Sequence, residues 1–351
     1  MPETYDPKHI VVACIDKPGK LFLALPVFQT LKSSFPGARI TALVREGAEI
    51  FFQGNPAIDN VEIKPERERL FHLVGRLRSM KADTIIHLPS DPKILLAAWL
   101  AKIPVRVGVD HKWHSLFLTH RARVNRAVSD RNEVEYNFEL LKTLGVTRFA
   151  EKIDFPLGEA DKTKAREILS QKGIAPGTPY VLVHPGSKGR SRHWKAERFG
   201  QLLGFLCQVK GLRVVLTAEA DESAMVSEVT AFLFSLPPEQ KPALIITEDL
   251  NLRGLAALCQ GALCLLSGPT GPMQLAAAVG TPTVTLFSPA PEATPVRWGA
   301  WGNENIALLP KNPQCNACQS GYCTKHDPMD GLPVSEVFEV MKKFIRRAVP
   351  V

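Results

Sequence analysis

HIVVACIDKPGKLFLALPVFQTLKSSFPGARITALV, residues 9–44, reads as one strand-helix-strand unit and decides what fold to expect. HIVVAC is a continuous apolar, β-branched run bounded by polar residues, which suits a strand buried on both faces of a parallel sheet. After the loop 15–20, Leu21, Leu25, Phe28 and Leu31 recur at helical spacing, and Pro36-Gly37 stops the helix. RITALV (39–44) is the next strand. Two such strands joined by a helix make a parallel pair with a right-handed crossover.

The alternation continues outward. Residues 61–63, 83–88 and 105–109 read as strands, separated by a basic amphipathic helix at 70–81 and a second helix at 92–101. A helix at 132–144, with Val134, Phe138 and Leu141 on one stripe and Gly145 as its stop, closes this half near Pro156. Residues 161–172 read as a connecting helix. A second set of units follows, with strands at 180–183, 213–217, 244–246, 262–266 and 283–287 and helices between them. The expected fold class is α/β: two doubly wound, Rossmann-like parallel-sheet domains, 1–157 and 176–332, facing a central cleft. Residues 333–351 are expected to form a C-terminal helix that packs back on the N-terminal domain through Val337, Met341, Phe344 and Ile345. Ligands of open α/β sheets bind beyond the carboxyl ends of the strands, so the loops 15–20, 184–194 and 267–272 are the places to look.

Composition excludes several classes. No run of about 18 apolar residues exists to span a membrane, and the charges scattered through the first 25 residues leave no signal-peptide core. A cytoplasmic protein starting at Met1 is expected. Four of the seven cysteines, Cys14, Cys207, Cys259 and Cys264, sit in apolar runs where thiols behave as small hydrophobes, so no disulfide framework is implied. The net charge is +8, and residues 67–131 carry 13 Lys or Arg against 5 Asp or Glu, an excess equal to the whole. That face suits an anionic acceptor or an anionic membrane, or is simply a solvated helix surface. No nucleic-acid motif accompanies the charge, so nucleic acid is not an expected partner.

Two motifs carry chemistry. In SGPTGPMQLAAAVGTPTVTLFSP (267–289) small residues follow a buried strand, Gly271 permits close backbone approach, and Pro272 suits the first turn of a helix whose free N–H groups invite a phosphate. In HPGSKGRSRHWKAERF (184–199) a strand ends in Pro-Gly, and Lys188, Arg190 and Arg192 bring positive charge to the same region, where a guanidinium can grip a phosphate with two parallel bonds. Trp194 is expected to anchor this loop in the core. Each of the three cations has a plainer reading as a solvated side chain.

Together with LALPVFQTLKSSFPGARITALV (23–44), GNPAIDNV (54–61), NEVEYNFELLKTLGV (132–146) and GTPTVTLFSP (280–289), these motifs resemble the family-nine glycosyltransferases, the ADP-heptose:lipopolysaccharide heptosyltransferases, whose fold is called GT-B. The resemblance implies an N-terminal acceptor-binding domain and a C-terminal domain binding a nucleotide-diphosphate sugar. It further implies inversion at the anomeric carbon without a required metal or other cofactor. By the same resemblance Arg192 matches the basic residue before His-Trp, Thr270 and Gly271 the Thr-Gly at the helix start with Pro272 after it, and Ser187 a hydroxyl near the phosphates. Glu222 falls where an acid holds the nucleotide ribose, and Leu250 where an apolar side chain packs on the base. The implied acceptor is an anionic, lipid-linked saccharide, which puts the protein in the cytoplasm with peripheral contact at the inner membrane face.

This chain departs from the family at three places. Pro269 and Gln274 stand where Asp and His are common, and Lys20 stands where an Asp takes the acceptor proton. A protonated amine has no lone pair to receive a proton, so three readings stay open: Asp16 supplies the carboxylate, Lys20 binds an acidic group of the acceptor while another residue is the base, or the protein binds nucleotide sugars without transferring them. A nucleotide-sugar epimerase of the same fold is a further alternative, for which no residues can be named. The spacing Cys315-x2-Cys318-x4-Cys323-x2-His326 offers four zinc ligands, or a reduced Cys-rich loop.

Overall fold

Proline at position 26 breaks what the periodicity presents as one helix. In the computed structural model, which describes residues 5–16, 18–88, 91–110, 113–186, 194–219, 222–233, 237, 241–246, 250–290, 294–302, 304–311 and 327–351, the first crossover is two helices, α1 (Pro18–Phe22) and α2 (Leu25–Ser34). A prolyl ring has no N–H to give and crowds the carbonyl four residues back, which is that of Phe22. The chain re-enters the helix with Pro26 in the first turn of α2. Lys20 therefore sits in a helix.

The chain divides into two compact units at Pro156 and Leu157. In the first, β1 (His9–Cys14), β2 (Arg39–Arg45), β3 (Asn60–Lys64), β4 (Thr84–His87), β5 (Val105–Val109) and β6 (His120–Ala122) form one parallel sheet in the order β3-β2-β1-β4-β5-β6. Val11 lies in register with Thr41 on one side and Ile85 on the other. All six residues of β1 are buried, as its uninterrupted apolar run requires. Val11, Ala13, Leu43 and Ile85 face α3 (Leu70–Met80) and α4 (Pro92–Leu100) in one core. On the other face α2 packs against α5 (Glu133–Lys142). The start of α5 is fixed by a reciprocal cap, in which Asn132 Oδ1 accepts from Val134 N–H at 3.1 Å and Glu135 Oε2 accepts from Asn132 N–H at 2.8 Å. Gly145, at φ +81°, supplies the left-handed turn behind it.

The second unit repeats the plan. Strands β7 (Tyr180–His184), β8 (Arg213–Ala218), β9 (Ala243–Ile246), β10 (Leu265–Ser267), β11 (Thr283–Leu286) and β12 (Asn305–Leu308) run parallel in the order β12-β11-β10-β7-β8-β9. Their helices are α6 (Glu159–Gln171), α7 (Ala196–Cys207), α8 (Ser223–Ala231), α9 (Leu252–Gly261), α10 (Gly271–Ala278) and α11 (Pro295–Trp298), followed by a final helix, Val334–Ile345. Expected as a connection, α6 instead packs on α9, where Asp161 Oδ2 meets Arg253 Nε at 3.0 Å.

The final helix corrects a second expectation. Val337, Met341, Phe344 and Ile345 are fully buried in the core of the C-terminal unit, among Trp194, Phe199 and Leu203 of the α7 region, rather than serving the N-terminal domain. The physical reason is area: each large apolar side chain hidden from water is worth about 1.5–3 kcal/mol, and α7 leaves a matching apolar stripe that its own sheet does not cover. Arg347 then closes the end with a two-pronged pair to Glu304 at 2.8 and 2.9 Å. Among the described residues no helix is long and apolar enough to cross a membrane.

Candidate functional site

In the C-terminal sheet β7 has β8 on one side and β10 on the other, so the chain leaves it in opposite directions at the ends of β7 and β10. A crevice is expected at such a reversal. At the end of β7, His184 is buried, with Nδ1 at 3.1 Å from Thr217 Oγ1 on β8. Its Nε2 lies 3.9 Å from Glu222 Oε2, which also accepts from the Glu219 N–H at 3.0 Å. The Glu222 side chain is only 10% exposed, and its Oε1 is buried without a hydrogen-bond partner among the described residues. A carboxylate oxygen in that position wants a donor, and leaving it without one is costly.

Gly186 explains how the carboxylate comes so close. An added Cβ there would fall on the Glu222 carboxyl group, so any residue but Gly would oblige that side chain to move from where it now lies. At the end of β10, α10 starts at Thr270, which is extended and places no side-chain cap over the first turn. The Thr270 hydroxyl turns to Gly268 O at 3.4 Å. Space is open beside Gly271, where an added Cβ would meet nothing within 4 Å. Pro272 occupies the first turn. Uncapped N–H groups and the positive end of the helix dipole are what an anion needs.

Gln274, in the position where the family commonly has His, is turned inward. It is buried, and its Nε2 donates to Trp298 O at 2.9 Å, tying α10 to α11. Leu250 is 4% exposed and packs with Leu182, Val215 and Leu258, so most of its surface is already spent on the core. Ser187, Lys188, Arg190 and Arg192 lie outside the described residues, as do Cys315, Cys318, Cys323 and His326. Trp194 does anchor the chain after this loop: it is wholly buried, donates from Nε1 to Leu332 O at 3.1 Å and meets Phe199 edge-on.

The N-terminal sheet reverses between β1 and β4, and a small recess lies there, lined by Cys14, Asp16, Lys20, Leu88, Arg126, Glu133 and Asn137 among others. Asp16 Oδ2 is 3.5 Å from Lys20 Nζ, one helical turn away. Burial, with the Asp16 charge adding to it, pushes the Cys14 thiol well above its usual range, so Cys14 is no nucleophile. Arg126 comes from beyond β6 and reaches into the recess. It pairs with the buried Glu133 at 3.4 Å and donates to Asn137 Oδ1 at 2.9 Å, while Asn137 Nδ2 donates to Leu23 O at 3.2 Å.

Sequence reading missed Arg126, Glu133 and Asn137. The available signal was the Asn132-x-x-Glu135 cap, which fixes where α5 begins and so which side chains its first turns present to the sheet. The recess brings together a partly exposed carboxylate, Asp16, and the cations Lys20 and Arg126. Among the described residues no cluster of His, Cys, Asp or Glu is placed to hold a metal ion.

A family model described as glycosyltransferase family 9 (heptosyltransferase) matches residues 70–327. Lipopolysaccharide heptosyltransferase 3 of Escherichia coli K12 is 24% identical, over 95% of this chain and 96% of that one. Among solved structures, a family 9 glycosyl transferase from Veillonella parvula superposes with a TM-score of 0.83 at 21% identity, covering 98% of this chain and 99% of its own. The ADP-heptose lipopolysaccharide heptosyltransferase II of E. coli gives 0.76 at 18% identity, covering 97% and 99%. The fold is the one called GT-B.

Proposed function

The chain belongs to glycosyltransferase family 9, the heptosyltransferases, and on that premise we propose that it transfers a heptose from ADP-heptose to a hydroxyl of a lipopolysaccharide core-type acceptor, with inversion at the anomeric carbon. The observation that carries the reading is the Glu222 carboxylate, nearly buried over Gly186 with one oxygen unserved among the described residues. A ribose offers two adjacent hydroxyl donors suited to that oxygen. The uncapped start of α10 at Thr270, Gly271 and Pro272 suits the diphosphate, and Ser187, Lys188 and Arg192 are assigned to the same group. Leu250, buried in the core, backs this region from beneath and has little surface left to offer the base.

In the transfer, the acceptor oxygen attacks the anomeric carbon from the face opposite the diphosphate. The carbon–oxygen bond to the β-phosphate breaks, and ADP departs with the electron pair. The acceptor proton goes to Asp16. Lys20 and Arg126 hold an anionic substituent of the acceptor, and Arg192, Lys188 and the helix start neutralise the leaving diphosphate. The ADP-heptose in the name of the E. coli relative supports this choice of donor.

The test is to incubate the protein with ADP-heptose and a phosphorylated lipid A–inner core acceptor, following ADP release and the mass of the acceptor. A gain of one heptose supports the reading. One observation favours a second reading, in which the chain binds the nucleotide sugar without transferring it: the Asp16 carboxylate already faces an ammonium at 3.5 Å. Tight ADP-heptose binding with no acceptor modified would select it.

A further inference from the structure

The two cations of the N-terminal recess are held in unequal ways. Arg126 is set by several partners at once: it pairs with Glu133 at 3.4 Å, donates to Asn137 Oδ1 at 2.9 Å and reaches the carbonyl of Leu88 at 3.5 Å. Glu133 and Asn137 are themselves buried, and Asn137 Nδ2 is committed to Leu23 O at 3.2 Å. This end of the recess cannot shift without breaking a buried network. Lys20 is placed otherwise. Its ammonium faces Asp16 Oδ2 at 3.5 Å across one turn of chain, and 42% of its side chain lies in water against 26% for Asp16. A solvated pair of this kind is weak and is readily exchanged for a better one.

The charges that line the recess sum to zero among the described residues, with Lys20 and Arg126 set against Asp16 and Glu133. An incoming anion finds no net attraction there and is held by drawing a cation away from its carboxylate. Breaking the buried, braced Arg126–Glu133 pair would leave an uncompensated charge inside the fold, so Lys20 is the cation that yields. Its departure changes Asp16. A carboxylate oxygen that faces an ammonium is a poor place to receive a proton, because the arriving proton meets a positive charge.

We propose that Lys20 is a charge-reading latch on Asp16: an anionic oxygen group of the acceptor takes the ammonium, and only then is Asp16 open to the acceptor hydroxyl. The inference rests on the transfer reaction proposed above and adds its substrate class, acceptors that carry a phosphate or carboxylate next to the reacting hydroxyl. In the step, the hydroxyl proton passes to Asp16 as the acceptor oxygen bonds to the anomeric carbon. The bond from that carbon to the diphosphate breaks, and its electron pair leaves on ADP. Acceptor charge therefore governs turnover as well as binding. A cation that only held the acceptor would alter KM alone.

The experiment measures kcat and KM for four acceptors: a phosphorylated, carboxylated lipid A–inner core oligosaccharide, the same with its phosphates removed, with its carboxylates reduced to alcohols, and with both changes. The native protein should lose tenfold or more in kcat on the doubly stripped acceptor, as expected where access to a general base is impaired, and the singly stripped ones show which group is read. Lys20→Met should then act in opposite directions, raising kcat on the doubly stripped acceptor tenfold or more while raising KM for the intact one. ADP affinity and the unfolding midpoint should match those of the native protein, since the Lys20 side chain is half in water. Equal native kcat on all four acceptors overturns the latch and leaves the transferase standing. So does a Lys20→Met variant that stays slow on the doubly stripped acceptor. No transfer to any acceptor by either protein overturns the function and the latch together.

Discussion

Replacing Glu222 by Gln changes one charge and almost no shape, which makes it the sharpest probe of the donor site. The amide oxygen of the variant can keep the bond from the Glu219 N–H, now at 3.0 Å to the carboxylate, so the entry to α8 stays held. What changes is the buried oxygen over Gly186. A hydrogen bond to a charged acceptor is worth about 1.5–3 kcal/mol and a neutral one about 0.5–1.5, so losing the charge should cost roughly 1–1.5 kcal/mol of ADP binding. That is about a fivefold to tenfold rise in Kd. Without ligand the same change should leave stability equal or higher, because a carboxylate only 10% exposed gives way to a neutral group. Calorimetric titration of ADP and an unfolding midpoint, measured on one preparation, read both quantities. Equal affinity in the variant, or a midpoint several degrees lower with affinity intact, refutes a ribose-holding role and leaves Glu222 as a structural cap.

Asp16→Asn should lower transfer by about 10²- to 10⁴-fold with ADP affinity unchanged, the range for losing a general base; unchanged turnover by mass spectrometry removes Asp16 from that role. If Lys20→Asp raises the rate tenfold or more, the ammonium is what holds the native protein back. Arg192→Ala should weaken ADP binding by about 1.5–3 kcal/mol, and an unaltered titration would take Arg192 out of the site. Met341→Ala should cost about 2–5 kcal/mol by opening a cavity between the final helix and α7; a loss below 1 kcal/mol in urea unfolding would contradict the packing. Burial pushes the thiols of Cys207, Cys259 and Cys264 from about 9 up to about 12. Folded pKa values above the unfolded ones mean full stability below pH 9 and a progressive loss between pH 9 and about 12, so unfolding free energies flat across that window would count against their burial.

The strands were legible because parallel strands covered on both faces must be apolar, and HIVVAC (9–14) and YVLV (180–183) announce this without help from neighbours. β12 was not, since Asn305–Leu308 is an edge strand only partly buried and carries little of that signature. The affiliation of α6 and of the final helix was also hidden. An amphipathic stripe says that a helix has a core to cover, but not which one. At the site, the loops at the ends of β1, β7 and β10 could be located from strand order alone. Arg126, Glu133 and Asn137 could not, because they reach the recess from more than a hundred residues beyond β1, through contacts that sequence spacing does not encode.

Trp194 and Arg198 both donate to the carbonyl of Leu332, at 3.1 and 2.8 Å, just before the final helix begins. The cationic stretch 187–193 enters the fold at this tryptophan. If that stretch grips a nucleotide, the grip and the seating of the chain's end share one hinge pin, and coupling between two equilibria is reciprocal. Whatever factor the ligand gives to the hold on residues 333–351, a disturbance there must take back from the ligand. A tag fused after Val351 is then a handle on affinity, and protection of the amides around Phe344 from exchange becomes a remote gauge of whether the nucleotide pocket is filled.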